Sequence, residues 1–401
     1  MTSTIFLYEY VTGGGTFSAS PPTVPTGSWL REGAAMISAL AADFLAQSDT
    51  RVVLLRDARL KDVPPPNATD FALGHGESQI ASCGCEPQGA SRGFLARKRG
   101  QSSPAASAVP LNVSGLVPPP ASDVVEIRGA EEEWAALRRL AREADWTVLI
   151  APECNRTLLD RCRAVEAAGG RLLSPSSAFI DWASDKHRCA QRLIEAGVSA
   201  PIGIRLRPGE PLPHDFLYPA VVKPCDGAGS QGVQWVANAE AAYDASELGT
   251  HARLERLYPG LAASVAVLCG PWQMLPLPAC RQCLTDDGRF GYLGGETPLS
   301  ELLSQRAQRL ALAAVQALPA TIGYVGVDLV LGEPADGQQD VVVEINPRLT
   351  TSYVGLRQLA TTNLAVAMLG IAEGRPTELS FATHFVQFGA DGRVAIRGTL
   401  A

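Results

Sequence analysis

The chain has 401 residues and a formal net charge of -7. That length can bury two or three cores, and the acidic balance offers no surface for nucleic acid. No apolar run approaches the roughly 20 residues a membrane-crossing helix needs. The opening Met1-Thr2-Ser3-Thr4-Ile5 has no basic segment before its apolar stretch, so a cytoplasmic protein without a signal peptide is expected.

In chain order, a strand is predicted over 4–11, followed by the turn Thr12-Gly13-Gly14-Gly15. A helix follows over 28–47, where Leu30, Ala34, Ile37, Leu40 and Phe44 recur at helical spacing, and then a strand at Arg51–Asp57. This β-loop-α-β opening predicts a parallel α/β domain. From Asp62 to Ser122 the chain is rich in Pro, Gly and Ser and carries the basic patch Arg97-Lys98-Arg99. It is expected to be a long disordered insertion. A short strand at Val124–Ile127, a helix over 131–144, a strand Trp146–Ala151, a helix over 156–168 and a short strand 171–173 complete the first unit, 1–173. The second unit, 174–380, opens with a helix over 185–196. Strands follow at 202–206, 219–223, 232–236, 263–269 and 290–293. A helix over 299–320, strands at 325–331 and 340–345 and a helix over 360–373 come next. Residues 381–401 read as a terminal hairpin turning at Ala390-Asp391-Gly392.

Nine cysteines in a chain of this kind are expected to be reduced thiols. Cys280-Arg-Gln-Cys283 has the spacing of a zinc half-site. Its only partner pair would be Cys83-Gly-Cys85, so incidental thiols are the better reading.

Chemistry concentrates in three segments. In Gly323-Tyr-Val-Gly-Val-Asp328 and Asp340-Val-Val-Val-Glu344-Ile-Asn346-Pro-Arg348, a hairpin would set the carboxylates of Asp328 and Glu344 side by side. Their repulsion calls for a cation. Glu344 and Asn346 share one face of their strand, and Asp, Glu and Asn oxygens suit Mg²⁺. Arg348, on the same side, could grip a carboxylate or phosphoryl oxygen through its planar fork. A solvated hairpin edge would not be so apolar. In the second segment, Lys223 ends an apolar strand and needs an anion. The glycine-rich stretch after it, including Gly227, Ala228, Gly229 and Ser230, can bring backbone N–H groups against phosphates. It lacks the Gly-Lys-Ser/Thr of a Walker loop and joins two strands. In the third, Lys186 follows Asp185 at a helix start. It could reach phosphates or sit solvated.

Lys186, Lys223 with its loop, Asp328, Glu344 and Asn346 stand in the order and spacing of the ATP-grasp superfamily, which this chain resembles over roughly 174–373. The resemblance implies an ATP-grasp fold with a preceding parallel α/β (pre-ATP-grasp) domain over 1–173. It also implies two lysines on the nucleotide phosphates, a loop that folds over them, and an Asp/Glu/Asn set for Mg²⁺ or Mn²⁺. The family hinge for adenine and ribose aligns with Leu254-Glu255-Arg256-Leu257-Tyr258-Pro259-Gly260. Leu254 and Glu255 are assigned to ATP, while Arg256 stands where the family carries an acidic residue, which puts the ribose contacts in doubt.

Tyr8-Glu-Tyr-Val-Thr-Gly-Gly-Gly15, Ala151-Pro-Glu153, Gly294-Gly295 and Glu344-Ile-Asn-Pro-Arg-Leu-Thr-Thr-Ser-Tyr353 are similar to the tyramine–glutamate ligases of methanofuran biosynthesis. This implies a ligase for a small carboxylate and an amine, working through an acyl phosphate. Arg348 and Lys223 would be catalytic, and Arg348, Thr350, Ser352, Tyr353, Glu9 and Glu153 would surround the substrates. The glycine triplet could equally be a plain turn, Glu153 a helix cap, and 350–353 an ordinary loop. A homodimer is compatible with the resemblance. The competing readings are a nucleotide-binding module with degenerate catalysis, a ligase for another amino acid pair, and an ATP-dependent carboxylase.

Overall fold

The computed structural model describes residues 2–19, 24–60 and 123–399. The expected insertion, 62–122, lies outside the described residues.

The chain opens with β1 (Ser3–Glu9), α1 (Gly27–Leu45), β2 (Thr50–Asp57), β3 (Asp123–Ile127), α2 (Ala130–Glu143), β4 (Trp146–Ile150) and α3 (Thr157–Ala167). The sheet order is β3-β2-β1-β4 and every pair is parallel. Ile5, Phe6, Leu7 and Tyr8 of β1 are all fully buried, as a parallel sheet with helices on both faces requires. Strand order reverses between β1 and β4. In open parallel sheets, ligands bind beyond the carboxyl ends of the strands at such a point. The strand expected at 171–173 is a single bridge from Leu172 to Thr147, because only three residues separate the Gly169-Gly170 turn from Ser174-Pro175.

Next come α4 (Ser177–Ala183), which the sequence reading missed, and α5 (Lys186–Glu195). A small sheet follows: β5 (Gly203–Leu206), β6 (Ala220–Pro224), β7 (Gln234–Val236) and β8 (Ala252–Arg256). Its order is β5-β8-β6-β7, antiparallel throughout. It has its own core around Leu206, Val222, Val236 and Leu254. The rest of the chain supplies β9 (Leu261–Cys269), β10 (Met274–Pro276), β11 (Cys280–Leu284), β12 (Tyr292–Thr297), α6 (Glu301–Gln316), β13 (Gly323–Leu331), β14 (Val341–Asn346), α7 (Ser352–Leu359), α8 (Leu364–Ala372), β15 (His384–Gly389) and β16 (Val394–Thr399). These strands form a large sheet in the order β14-β13-β9-β11-β12-β15-β16, with β10 on β9. The terminal hairpin therefore continues this sheet through the β12–β15 pairing.

One face of the large sheet packs on α5 and α6 through Val265, Val327, Leu193 and Ala311. The opposite face shares a single core with the N-terminal unit, in which Ile5, Leu40, Leu268, Tyr324 and Met368 belong to one cluster. The parallel sheet and the large sheet are thus held by continuous apolar packing, while the small sheet carries a core of its own. Gly355 of α7 lets this face close: a Cβ there would lie 2.2 Å from the Phe388 ring. Among the described residues no helix is long and apolar enough to cross a membrane.

Candidate active site

The site begins with the β13–β14 hairpin. Asp328 and Glu344 are direct cross-strand partners. Asn346, two residues on, faces Gly326 and donates its amide N–H to Asp328 Oδ2 at 3.0 Å. Gln282 of β11 donates to the other oxygen, Oδ1, at 2.9 Å. Burial and the Glu344 carboxylate push Asp328 up to about 7. Burial opposes ionisation of Glu344 as well, but Lys186 and then Lys223 outweigh it and hold that carboxyl below its usual range. A hard divalent cation fits this donor set. Two carboxylates and a carboxamide present oxygens on one face, and the strain of a carboxyl raised by its neighbour is what such a cation relieves. Among the described residues no group of three or more His, Cys, Asp or Glu side chains could hold a metal, so the Asp328 and Glu344 carboxylates would be completed by the Asn346 amide oxygen or by oxygens of a bound phosphate.

Lys186 stands at the first turn of α5, whose N-terminus is capped by Asp185 accepting from the His187 and Arg188 amides. Its Nζ lies 2.8 Å from Glu344 Oε2 and donates to the Gly227 carbonyl at 2.7 Å. The lysine therefore ties the metal-type hairpin to the glycine-rich loop between β6 and β7. That loop uses left-handed backbone at Gly229, Ser230 and Gly232. Asp226, at its start, accepts from the Asn155 amide of the N-terminal unit at 3.1 Å. Lys223, at the end of β6, pairs with Glu255 of β8 at 2.5 Å.

Two acids come in from the carboxyl ends of β1 and β4, the strands that flank the switch point. Glu9 is buried in a turn built around it: the Val11 and Thr12 amides donate to its two oxygens at 3.0 and 2.7 Å. Gly13 and Gly15 make that turn possible, since a Cβ at Gly13 would meet the Glu9 carbonyl at 2.5 Å and one at Gly15 would strike the Tyr10 ring. Burial raises the Glu9 carboxyl, and the two amides and Arg348 only partly offset this. Glu153 makes no capping bond. It pairs with Arg348 Nε at 2.9 Å, so its side chain faces the hairpin rather than its own helix. The sequence-predicted Glu9, Glu153, Asp328, Glu344, Asn346, Arg348 and Lys186 therefore converge where the parallel sheet meets the large one.

A family model of the ATP-grasp domain matches residues 183–352, and one of the pre ATP-grasp 3 domain matches 113–180, together more than half of the chain. The chain belongs to the ATP-grasp superfamily. Among its relatives are a tyramine–L-glutamate ligase of Methanocaldococcus jannaschii, 27% identical over 67% of this chain and 76% of that protein, and one of Methanocaldococcus fervens, 26% identical over 61% and 71%. An ATP-grasp superfamily protein from Archaeoglobus fulgidus shares the fold, with a TM-score of 0.61 and 18% identity, over 96% of this chain and 92% of its own.

Within this ATP-grasp frame, two expected site residues are corrected. Tyr353 is not free to meet a substrate. It lies in α7, 1 % exposed, and its hydroxyl donates to Asp43 of α1 at 2.6 Å. Leu254 packs into the small-sheet core, and its backbone lies between Ile204 of β5 and Val222 of β6, so neither side chain nor backbone faces a ligand. Thr350 and Ser352 form a hydroxyl ring with Tyr324, with oxygens 2.9 to 3.2 Å apart. Arg256, the residue that departs from the family hinge, is exposed and lies over the Tyr258 ring. By strand alternation it faces away from Glu255. Cys280 and Cys283 sit three apart on β11, on opposite faces of the sheet, which does not suit a shared ion.

Gln282 and Arg253 were missed. Gln282 stands between the two cysteines that drew attention to that segment. Arg253 lies two residues before Glu255, and that polar alternation against Ala252 and Leu254 was the available signal for β8.

Proposed function

We propose that this ATP-grasp ligase joins glutamate to an amine such as tyramine through an acyl phosphate. The observation that carries this reading is the Glu153–Arg348 pair: it puts the switch-point crevice of the N-terminal sheet directly against the Asp328/Glu344/Asn346 hairpin.

ATP would lie between the small and large sheets, with Lys186, Lys223 and the amides of Gly227, Ala228, Gly229 and Ser230 around its phosphates. Glu255 would border the adenosine. Asp328, Glu344 and Asn346 would hold Mg²⁺, which when bound neutralises charge on the transferring phosphoryl group. Arg348 orients the substrate carboxylate, whose oxygen attacks the γ-phosphorus as the bond to the ADP oxygen breaks. Glu9 and Glu153 attract the ammonium of the second substrate. Glu9, its carboxyl raised by burial, is suited to take the proton that the amine must lose. The amine nitrogen then attacks the acyl carbon and phosphate leaves. Thr350 and Ser352 stand two and four residues beyond Arg348 and would border the acyl group. Most of the acceleration is positioning, and the buried thiols of Cys189 and Cys280, pushed up to about 12, are not nucleophiles.

The test uses glutamate labelled with ¹⁸O in its side-chain carboxylate, together with MgATP and tyramine. Label appearing in the released phosphate, with a γ-glutamyl amide detected by mass, supports the reading. Phosphate released without label contradicts the acyl phosphate, and ATP bound but never turned over contradicts the reading and favours a nucleotide-binding module.

A further inference from the structure

Among the described residues, Arg253 carries the largest side chain of those with almost no exposure, at 1 %. None of its groups is idle. Its Nε donates to Glu255 Oε2 at 2.8 Å, one terminal nitrogen lies 2.9 Å from His187 Nδ1, and the other donates to the Pro201 carbonyl at 2.5 Å. Gly203 on β5 leaves room for it: a Cβ there would lie 2.8 Å from the guanidinium carbon. Burial and then Arg253 lower the basicity of His187, so the ring is neutral and its Nδ1 accepts.

Glu255 is thereby shared. Lys223 holds Oε1 at 2.5 Å and Arg253 holds Oε2 at 2.8 Å. Lys223, Glu255 and Arg253 are all at most 4 % exposed. Two cations on one carboxylate leave one surplus positive charge in a place where charge is expensive to bury. Glu344 also feels Lys223, but its nearer partner is Lys186 at 2.8 Å. Without Arg253, Lys223 and Glu255 would neutralise one another and the strand would present no net charge.

We infer that Arg253 is a positioning residue for nucleotide binding: it draws off the Glu255 carboxylate so that Lys223 keeps its charge for a phosphate. Its bonds to His187 and Pro201 also fix the small sheet against α5, the helix that carries Lys186. This rests on the proposed placement of Lys223 at the phosphates.

The test is MgATP binding by calorimetry, with thermal unfolding in parallel, for wild type, Lys223→Met, Arg253→Met, Arg253→Lys, Glu255→Gln and the Arg253→Met/Glu255→Gln double variant. Arg253→Met is expected to weaken ATP binding roughly ten-fold, the scale typical of losing a residue that orients a direct ligand contact. Arg253→Lys should lie between it and wild type. The decisive result is the double-mutant cycle: Arg253→Met should cost far less ATP affinity in the Glu255→Gln background than in wild type, because the competing negative charge is gone. A purely structural arginine predicts the same loss in both backgrounds, and an Arg253→Met change that costs as much ATP affinity beside Glu255→Gln as in wild type overturns the inference. Wild-type affinity in Arg253→Met alongside weak binding in Lys223→Met overturns it too. Wild-type affinity in Lys223→Met removes the phosphate reading beneath it.

Discussion

Replacing Tyr353 by Phe should cost stability and leave catalysis alone. The tyrosine hydroxyl donates to Asp43 Oδ2 at 2.6 Å, and Arg357 holds the same carboxylate through three contacts between 2.5 and 3.0 Å. Asn363 donates to the Asp43 carbonyl at 2.7 Å. Together these bonds clamp α1 to α7 and α8. A hydrogen bond to a charged group contributes about 1.5–3 kcal/mol. Arg357 still compensates Asp43 in Tyr353→Phe, so the loss should sit near the lower end, about 1.5 kcal/mol. Asp43→Ala removes the acceptor for both partners. A fully buried pair broken this way costs about 3–5 kcal/mol, and the Arg357 side chain keeps 24% exposure, which places the cost near about 3 kcal/mol. At about 1.2 °C per kcal/mol for a chain of 401 residues, the melting temperature should fall by about 2 °C and about 4 °C respectively. Calorimetric melting paired with ADP release at 25 °C reads both quantities. A Tyr353→Phe protein with unchanged melting and a ten-fold loss of turnover would refute the clamp and return Tyr353 to the substrate pocket.

Other consequences follow from the same geometry. Asp328, pushed up to about 7, must lose its proton to bind a cation. Mg²⁺ affinity should therefore rise about ten-fold from pH 6 to pH 8, and Asp328→Asn should flatten that dependence in a titration with Mn²⁺ as reporter. The sign for the metal-free protein is opposite: an acid whose folded value is raised binds more protons folded than unfolded, so its contribution falls as pH rises from about 4 to about 7. Gln282→Leu removes one of the two amides that orient Asp328 and should weaken Mn²⁺ binding roughly ten-fold in the presence of ADP, with little change in melting. Arg256→Glu should alter the KM for ATP by no more than about two-fold, as for an exposed substitution; a larger change would put this side chain in the nucleotide site.

The hairpin was legible because its evidence is local. Two apolar runs around the turn at Asp336-Gly337 announce the hairpin, while the Asp328–Glu344 pairing itself rests on a register shift between Asp328 and Leu329 that moves Glu344 opposite the aspartate. Lys223 and its glycines were legible for the same reason. What escaped depends on contacts between distant segments. The residues after Arg348 read as a loop, but Tyr353, Leu356 and Ala360 follow a helical spacing that only acquires meaning against Asp43, some 310 residues away. β8 is too charged to announce itself as a strand, because Arg253 and Glu255 neutralise each other inside the fold. The terminal hairpin is visible in the sequence, but its docking is not: that depends on Gly355 lying under Phe388. Glu153 could have been a cap until its partner, Arg348, was in place beside it.

The most direct measurement is phosphate release from MgATP with glutamate and a panel of amines including tyramine, for wild type and Glu344→Ala. Release that depends on both substrates and vanishes in the variant is predicted. Release that ignores the amine, or persists without Glu344, would contradict a carboxylate–amine ligase built on this hairpin.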